Sequence, residues 1–439
     1  MTIRKLFEPN SVAVVGASRD EEKLGHLIVK NLKDADFEGK IYPVNPEADE
    51  ILDLKCYSSL EEAPKKTQLA VIVIPAEDVS GILDQCEENN VKNAIIVSGG
   101  FSEHDEGGEE LEQEVVEKAE EMGIRILGPN CQGVNNTSNG LCATWPLATK
   151  EGPLSIVTQS GTIAAAMQNW AQNDNIGIAK SAVLGNKSDI DEADILEYLA
   201  EDDDTGVIGL YLEGVEKGRK FLEAAKSAAV NKPVVVLKGG RTDSGAEAVQ
   251  AHTKSFAGKY EIFESACKQE GLIIVENITE FYEVCKGIAS LPVSDNENTV
   301  IVTSSGGSAI LAIDAADELD VNLIDLPEKS VERLEGELAR ECMISNPLDL
   351  TGSANAEMFD EAIKILAQYK DVQNLVLMIG DPMPGIAEVI KERFDRLPII
   401  PVMLGVGDEE GAEEREMLRE EGIPVFSDPE MAMKVIDSF

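Results

Sequence analysis

Three segments of this 439-residue chain carry side chains suited to nucleophilic chemistry and anion binding. His252 is one of only three histidines, and it lies among small and polar residues after an apolar run at 233–237. A neutral imidazole is a nucleophile at Nε2 when another group accepts its Nδ1–H, and Glu213, at the end of an apolar run, is a candidate for that role. Ser160 follows another apolar run and precedes a small-residue helical pattern, whose N-terminus would attract an anion.

Each of these segments also has an ordinary structural explanation. A lone loop histidine is more often structural than catalytic, Ser160 is equally suited to be a helix N-cap, and a carboxylate at Glu213 can simply be solvated. His26 and His104 show no metal-ligand spacing, and we expect both on the surface. No metal site is predicted, because the acidic run at 189–194 lacks the glycine of a calcium loop.

Three successive series of short apolar runs predict the elements that position these groups. The runs are rich in Val and Ile and alternate with helical patterns such as 109–121 and 191–200. Strands buried on both faces have this composition, so we predict an α/β protein with three parallel, doubly wound sheets. The predicted strands are 11–15, 40–44, 69–74, 93–97 and 124–127; 154–158, 180–184, 207–212, 233–237 and 272–275; and 299–303, 321–326, 374–379, 398–404 and 423–426. Polar or proline-containing segments near 149–153 and 292–296 predict domain boundaries. The predicted domains are 1–148, 149–293 and 294–439.

A nucleotide-like ligand is predicted at one edge of the first sheet. Small or polar turns follow its consecutive strands, and ligands of open α/β sheets bind outside the carboxyl ends of strands. The Gly-x-Gly-x-x-Gly fingerprint is absent, which disfavours a nicotinamide oxidoreductase. Small or polar turns also join strands to helices where no ligand binds. The residues expected at this site are Gly16, Ala17, Ser18, Arg19, Lys23, Val44, Asn45, Pro46, Ile74, Pro75, Ser98, Gly99, Gly100, Pro129, Asn130 and Cys131.

The charge and the cysteines limit the partners and the compartment. There are 82 acidic against 38 basic residues, a net charge of −44, which disfavours nucleic acid as a partner. Such a surface is either simply solvated or adapted to a high-salt cytoplasm. The seven cysteines have no Cys-x-x-Cys or zinc spacing, which favours reduced thiols in the cytoplasm. No apolar run is long enough to cross a membrane, and the start of the chain predicts no secretory signal.

Eight segments, in order, resemble the α subunit of NDP-forming acyl-CoA synthetases, relatives of succinyl-CoA synthetase. The resemblance covers essentially the whole chain, and it implies a Rossmann-like CoA-binding domain followed by two flavodoxin-like domains. The segments are 15–19, 42–46, 127–131, 159–161, 184–187, 211–214, 249–258 and 346–349.

The resemblance implies a reversible reaction of acyl-CoA, phosphate and ADP to acid, CoA and ATP, through an acyl phosphate and phospho-His252. It implies that Glu213 steadies the histidine, and that the acid is acetate or another small or aryl acid. ADP and ATP, with Mg²⁺, would bind a separate ATP-grasp β subunit in an α2β2 assembly. The residues implied to bind phosphate are Gln159, Ser160, Gly161 and Thr162.

The chain departs from the family at the histidine loop. The family usually reads Ser-His-Thr-Gly-Ser-Leu-Ala-Gly, and Ala251, Lys254 and Phe256 replace three of those residues here. The alternative to an enzyme is therefore a non-catalytic CoA-binding regulatory subunit of the same fold. In the third domain, Ser-Ser-Gly-Gly-Ser at 304–308 replaces the family's Asn-Ala-Gly-Gly-Pro.

Overall fold

The computed structural model describes residues 3–104, 106–253, 258–292, 298–394, 397–404 and 409–439. The side chains of residues 106, 251–253 and 409–410 also lie outside this description. The chain forms two compact units, one of residues 1–172 with 177–281 and one of residues 173–176 with 282–439. None of the helices in the described part is long and apolar enough to cross a membrane.

The first sheet is parallel and has the strand order β2-β1-β5-β6-β7. Every residue of β1, β5 and β6 is buried, as expected for strands covered by helices on both faces. The chain crosses to β2 on one side of β1 and to β5 on the other, so the topological switch point lies between β1 and β5. The elements are α1 (Arg4–Phe7), β1 (Ser11–Val15), α2 (Leu24–Asp34), β2 (Lys40–Val44), the hairpin β3 (Glu50–Ile51) and β4 (Leu54–Lys55), β5 (Leu69–Ile72), α3 (Val79–Glu88), β6 (Asn93–Ile96), α4 (Glu106–Met122) and β7 (Arg125–Leu127). A 3₁₀ helix, Ala76–Asp78, precedes α3.

The second sheet belongs to the same compact unit and has the order β14-β13-β12-β10-β11-β8-β9. Its strands β10 to β14 are parallel, and the switch point lies between β10 and β12. The elements are β8 (Gly133–Asn136), β9 (Leu141–Ala143), β10 (Leu154–Thr158), α5 (Gly161–Asn173), β11 (Ile178–Val183), α6 (Glu192–Ala200), β12 (Val207–Leu212), α7 (Gly218–Ala229), β13 (Val234–Lys238), α8 (Asp243–Thr253), α9 (Tyr260–Gln269) and β14 (Ile273–Val275). A 3₁₀ helix, Thr137–Asn139, joins β8 to β9.

The prediction of a purely parallel second sheet was wrong at one edge. Strand β8 runs antiparallel to β11, and β9 runs antiparallel to β8. The hydrophobic pattern did not predict this hairpin, because β8 buries polar amide side chains where a typical buried strand has apolar ones. Asn136 donates to the carbonyl of Phe7 at 3.1 Å, and Asn135 donates to that of Ala148 at 2.9 Å. The predicted boundary at residue 148 stays a prediction, and residues 133–143 pair with the sheet that follows it.

The second unit contains a parallel sheet in the order β16-β15-β17-β18. The predicted strands at 321–326 and 423–426 were too long, since only Leu323 and Phe426 form isolated bridges. Pro327 follows the first segment and Pro424 lies in the second, and proline cannot donate to a ladder. The elements are α10 (Ile278–Ser290), whose first four residues belong to the first unit, β15 (Thr299–Thr303), α11 (Gly306–Glu318), α12 (Glu328–Glu337), β16 (Leu348–Asp349), α13 (Ala356–Leu366), β17 (Asn374–Ile379), α14 (Ile386–Phe394), β18 (Ile399–Met403), α15 (Glu409–Glu420) and α16 (Pro429–Asp437).

The core of the first unit explains why the strand ends hold fixed positions. Along β1, Val12 and Val14 join a cluster that also contains Val157 and Ile208 of the second sheet. The alternate residue Ala13 faces a separate cluster on the other side of the first sheet. The period of two places successive side chains on opposite faces, so one continuous core joins the two sheets of this unit.

Candidate functional site

The switch point of the second sheet brings together residues that lie 54 positions apart in sequence. Thr158 of β10 pairs with Tyr211 of β12, so the turns after these strands are neighbours. The side-chain Oε1 of Gln159 accepts hydrogen bonds from the backbone N–H groups of Glu213 and, at 3.1 Å, Gly214. The predicted phosphate-binding turn and the predicted orienting carboxylate are therefore one structure.

The two carbonyls of the same turn are held by buried lysines. Lys238, the last residue of β13, donates from Nζ to the carbonyl of Glu213 at 2.6 Å. Lys187 donates to the carbonyl of Gly214 at 2.7 Å, and it forms an ion pair with Glu192 at 2.9 Å. The side chains of Lys187 and Glu192 are only 4% and 3% exposed. All four backbone polar groups of residues 213 and 214 are thus bonded to side chains, which fixes the place from which the Glu213 side chain projects.

Burial shapes the ionisation of the groups around this turn. Burial lowers the pKa of Lys238 to about 8, although the nearby Glu213 carboxylate opposes the shift. Burial raises the pKa of Tyr211 to about 12, and Glu213 adds to this effect because its carboxylate lies 3.4 Å from the tyrosine hydroxyl. The turn lies in a poorly hydrated setting, where an electrostatic contact is stronger than in water.

An anion fits the start of helix α5. The Nε2 of Gln159, a residue only 6% exposed, has no hydrogen-bond partner among the described residues, so this donor is available to a ligand or a water molecule. Helix α5 begins at Gly161, where an added Cβ would lie 2.6 Å from the Gln132 side chain. Ser160 and Gly161 are half-buried and Thr162 is exposed, so the free N–H groups of the first turn lie near the surface.

At the switch point of the first sheet, the turn after β1 lies in close contact with neighbouring backbone segments. Gly16 has a φ of +89°, and an added Cβ would lie 2.3 Å from the carbonyl oxygen of Val73. A Cβ on Gly25 would lie 2.0 Å from the Gly16 carbonyl oxygen, so helix α2 starts directly against this turn. Asn45 donates to the carbonyl of Ala17 at 2.7 Å and ties the turn after β2 to the turn after β1. This arrangement lets a phosphate approach the backbone at the start of α2.

Arg19 and Lys23 place positive charge beside that turn. Both are exposed, and the guanidinium of Arg19 donates to the carbonyl of Glu47 at 3.2 Å. The first turn of α2 holds no acidic residue, and its N-cap, Lys23, makes no side-chain capping bond. An anionic ligand would therefore meet the positive end of the helix, with Arg19 and Lys23 nearby and the exposed Asp20, Glu21 and Glu22 between them in sequence.

The remaining predicted turns form the same edge but differ in exposure. Ser98 donates from its hydroxyl to the carbonyl of Ile74, and its own carbonyl accepts from Asn130 N–H at 2.9 Å. Pro46, Pro75, Gly99 and Gly100 are exposed, whereas Val44, Pro129 and Cys131 are buried beneath the edge. Burial raises the pKa of the Cys131 thiol to about 12.

A hydrogen-bond network joins the two edges within the first unit. The amide of Asn186, in the turn after β11, donates to Glu103 and Glu112 at 2.8 Å each and accepts from Asn130 at 3.3 Å. Burial raises the pKa of Glu103, but the hydrogen bond from Asn186 and those from backbone N–H groups outweigh it, so the pKa is lowered. The carboxylate of Glu103 therefore stays charged and keeps the network intact near neutral pH.

Comparisons with known proteins agree with this geometry. Residues 10–137 match the model of a CoA binding domain, and residues 151–288 match that of a succinyl-CoA ligase like flavodoxin domain. The chain is 37% identical to the α subunit of acetate–CoA ligase [ADP-forming] I from Pyrococcus furiosus, over 100% of this chain and 97% of that subunit. The chain belongs to the family of ADP-forming acetate–CoA ligases.

Two further similarities extend the comparison. The chain is 39% identical to acetate–CoA ligase [ADP-forming] I from Archaeoglobus fulgidus over 99% of its own length, and it spans 63% of that longer protein. Its fold matches a solved structure of acetyl-coenzyme A synthetase 1 from Ca. Korarchaeum cryptofilum in complex with phosphate and ADP. That match has a TM-score of 0.93 and 34% identity, and it covers 99% of this chain and 96% of the other. The predicted family and fold class are confirmed.

His252 lies at the end of helix α8, which follows β13. The sequence predicted a loop there, but the helix continues to Thr253 because Ala246, Ala248 and Ala251 favour helix. The side chain of His252 and residues 254–257 lie outside the described residues. The pairing of His252 with Glu213 therefore stays a prediction in this member of the ligase family.

His26 corrects a second expectation. It was predicted on the surface, yet it is only 6% exposed, and its Nδ1 lies 2.9 Å from the Ser18 carbonyl oxygen. The carbonyl requires a proton on Nδ1, so this histidine braces the turn after β1. His104 is exposed, as predicted. In the described ranges, no group of three or more His, Cys, Asp or Glu side chains is arranged to hold a metal ion.

The sequence analysis missed the two lysines that hold the Glu213–Gly214 turn. Lys187 lay inside a segment of family resemblance, but nothing in it predicted a buried ammonium. Lys187 also has a φ of +59°, a costly conformation for a residue with a side chain. The signal for Lys238 was its place directly after the buried run at 233–237, where the strand continues.

We predict that Lys238 makes stability depend on pH in a defined direction. Its pKa is about 8 in the folded protein against the ordinary 10.5, so above pH 8 the unfolded chain binds more protons than the folded one. The free energy of unfolding should therefore rise between pH 8 and pH 9.5, by on the order of 1 kcal/mol. Denaturant unfolding at several pH values measures it.

Lys238→Met should remove this rise and lower stability at pH 9.5, because the carbonyls of Glu213 and Gly239 lose their donor. Lys226→Met, at a lysine that is 65% exposed, is the control and should keep the wild-type slope. Equal slopes in wild type and Lys238→Met would show that the buried ammonium does not titrate in this range.

Proposed function

We propose that the chain is the α subunit of an ADP-forming acyl-CoA synthetase that interconverts acyl-CoA, phosphate and ADP with acid, CoA and ATP. The observation that carries the proposal is the Glu213–Gly214 turn, held by Gln159, Lys187 and Lys238 beside the start of α5. It combines a fixed carboxylate, a buried amide donor without a partner among the described residues, and an exposed helix N-terminus. Phosphoryl transfer needs positioning and electrostatic stabilisation of this kind.

The steps follow from these groups. Phosphate attacks the thioester carbonyl, the CoA thiolate leaves, and an acyl phosphate forms. Nε2 of His252 then attacks the phosphorus, the carboxylic acid leaves as its carboxylate, and phosphohistidine forms while Glu213 accepts the Nδ1–H bond. ADP finally takes the phosphoryl group and frees the histidine. Gln159, Ser160, Gly161 and Thr162 hold the phosphate while the acyl phosphate forms and while its phosphoryl group passes to His252.

CoA binds at the carboxyl edge of the first sheet in this proposal. The turn at Gly16–Arg19 lies at a topological switch point. The exposed side chains of Arg19 and Lys23 would contact the phosphates of CoA. Asn45, Ser98 and Asn130 tie the neighbouring turns into one edge.

The nucleotide, with Mg²⁺, binds a separate ATP-grasp β subunit, and the assembly is α2β2. In support of a partner chain, the similar Pyrococcus furiosus protein is itself named as a subunit. The acid is acetate or another small or aryl acid. The protein works in a reducing, salt-rich cytoplasm. In support, its seven cysteines carry free thiols, six of them buried, and its net charge is −44.

The first prediction tests the CoA edge. Arg19→Ala should weaken CoA binding by about 1–3 kcal/mol, because a charge-assisted contact to phosphate is lost. Calorimetry with CoA measures the change. Arg340→Ala removes the same charge from an exposed position in the other compact unit and should bind CoA like wild type. Absence of CoA binding by the intact wild-type chain would rule out this edge as a CoA site.

The second prediction tests dependence on a partner. The purified chain should give no net ATP from acyl-CoA, ADP and phosphate, and addition of its ATP-grasp partner should restore synthesis. A coupled luciferase assay follows the product, and the partner alone is the control. Sustained ATP formation by the lone chain would show that it contains its own nucleotide site.

The third prediction tests the phosphohistidine. Acyl-CoA and ³²P-phosphate should label the chain with an acid-labile, alkali-stable group, and His252→Ala should abolish this label. Glu213→Gln should lower the labelling without removing it, since Glu213 orients the imidazole and does not accept the phosphoryl group. His104→Ala and Glu223→Gln, both at exposed positions, are matched controls that should label normally.

The same experiment decides between the two candidate functions. A wild-type chain that binds CoA but never labels with any acyl-CoA would favour a non-catalytic CoA-binding subunit. Replacement of family residues by Ala251, Lys254 and Phe256 is the observation behind that alternative. Label that persists in His252→Ala would remove the histidine from the mechanism.

A further inference from the structure

Five lysines line a cleft at the amino-terminal edge of the first sheet. The cleft has a volume of about 490 Å³, and we call it the lysine cleft. Residues that open or precede strands β1, β2, β5 and β6 form it, so it lies at the opposite edge from the Gly16 turn. A strand of five residues separates the two edges by about 15 Å. Its five lysines are Lys5, Lys40, Lys65, Lys66 and Lys92.

The charge of the lysine cleft is opposite to that of the chain. The chain has 82 acidic and 38 basic residues, yet none of the residues lining the cleft is acidic. None of the five lysines forms an ion pair with any residue that the structure describes. Elsewhere, lysines are paired even when buried: Lys180 lies 2.8 Å from Asp202 and 3.0 Å from Asp204. Lys5 and Lys40 also line a neighbouring cleft that contains Glu8, Glu38, Asp202 and Asp204, whereas Lys65, Lys66 and Lys92 line the lysine cleft alone. Cations gathered in one concave place repel one another, and a bound anion would relieve that cost.

The hydrogen bonds of the cleft leave donors available. Lys5 and Lys65 each donate to one carbonyl at 3.3 Å, and Lys92 donates to the carbonyl of Met122 at 2.7 Å. An ammonium group has three N–H donors, so most of theirs remain for a ligand. The ammonium groups of Lys40 and Lys66 make no hydrogen bond with the described residues. Amide side chains of Asn10, Gln68 and Asn90 add polar groups beside them.

We propose that the lysine cleft binds a small polyanion that carries several phosphates in a row, such as a nucleoside triphosphate or a polyphosphate. A single phosphate would balance too few of the five positive charges, whereas a chain of phosphates reaches several ammonium groups at once. The volume suits a ligand of nucleotide size, which a flat acidic protein surface would not fill. The site is separate from the proposed CoA edge and does not depend on the proposed reaction.

The test uses the full chain and inorganic tripolyphosphate as the probe, with CoA and phosphate present in excess to fill the other anion sites. Calorimetry should show binding that weakens as salt increases. The triple variant Lys40→Gln, Lys65→Gln, Lys66→Gln should bind at least tenfold more weakly. The control triple Lys226→Gln, Lys329→Gln, Lys370→Gln changes the net charge equally at exposed positions and should bind like wild type. Equal weakening in both triples would reduce the effect to general charge and overturn the proposal.

A second measurement does not depend on the variants. Tripolyphosphate should protect Lys40 and Lys66 from acetylation by an amine reagent, read by mass spectrometry, while Lys226 and Lys329 react at unchanged rates. Uniform modification with and without the probe would overturn the proposal. If the wild-type chain ignores tripolyphosphate but the cleft triple fails to assemble with its partner subunit, the cleft is an acidic protein's docking surface and the proposal is wrong.

Discussion

The geometry of the candidate phosphoryl-transfer site depends on one small turn whose backbone is held entirely by side chains. Glu213 and Gly214 follow β12, and their N–H groups go to Gln159 while their carbonyls go to Lys238 and Lys187. Each partner comes from a different strand end. A shift of any one of β10, β11 or β13 would therefore break a hydrogen bond to this turn, which makes the position of Glu213 a property of the whole sheet.

Burying the lysines that hold this turn costs hydration free energy, and that cost indicates that the arrangement serves a function. A buried ion pair such as Lys187–Glu192 loses hydration that its attraction hardly recovers, and an apolar pair of similar size would often be as stable. Lys238 also gives up hydration, as its lowered pKa shows. Both lysines donate to the one turn that carries Glu213. Stability alone does not require that arrangement, whereas the role that we propose for Glu213, to orient the imidazole of His252, does.

The sequence predicted the elements whose character is local. The fully buried strands β1, β10 and β15 had their predicted bounds. An unbroken apolar run can be recognised from the local sequence alone. The sequence-based prediction failed where burial depends on distant hydrogen bonds. Strand β8 is buried because its side-chain amides donate to other segments, and His26 is buried because its Nδ1–H donates to the Ser18 carbonyl. Within the site, Gln159 and Glu213 were predicted, but Lys238 was not, since only the fold brings it to the Glu213 carbonyl.

Salt separates the charges that matter to the site from those that do not. Near 1 M salt the screening length falls to about 3 Å, so exposed pairs such as Lys30–Asp34 contribute little in the salt-rich cytoplasm that we propose. The pair Lys187–Glu192 is excluded from solvent, so ions cannot enter between its partners. The hydrogen bonds at Glu213 therefore persist while the surface field is screened. Acidic residues on the surface of this protein can therefore be substituted without displacing Glu213, because the charges that position it are buried away from water and salt.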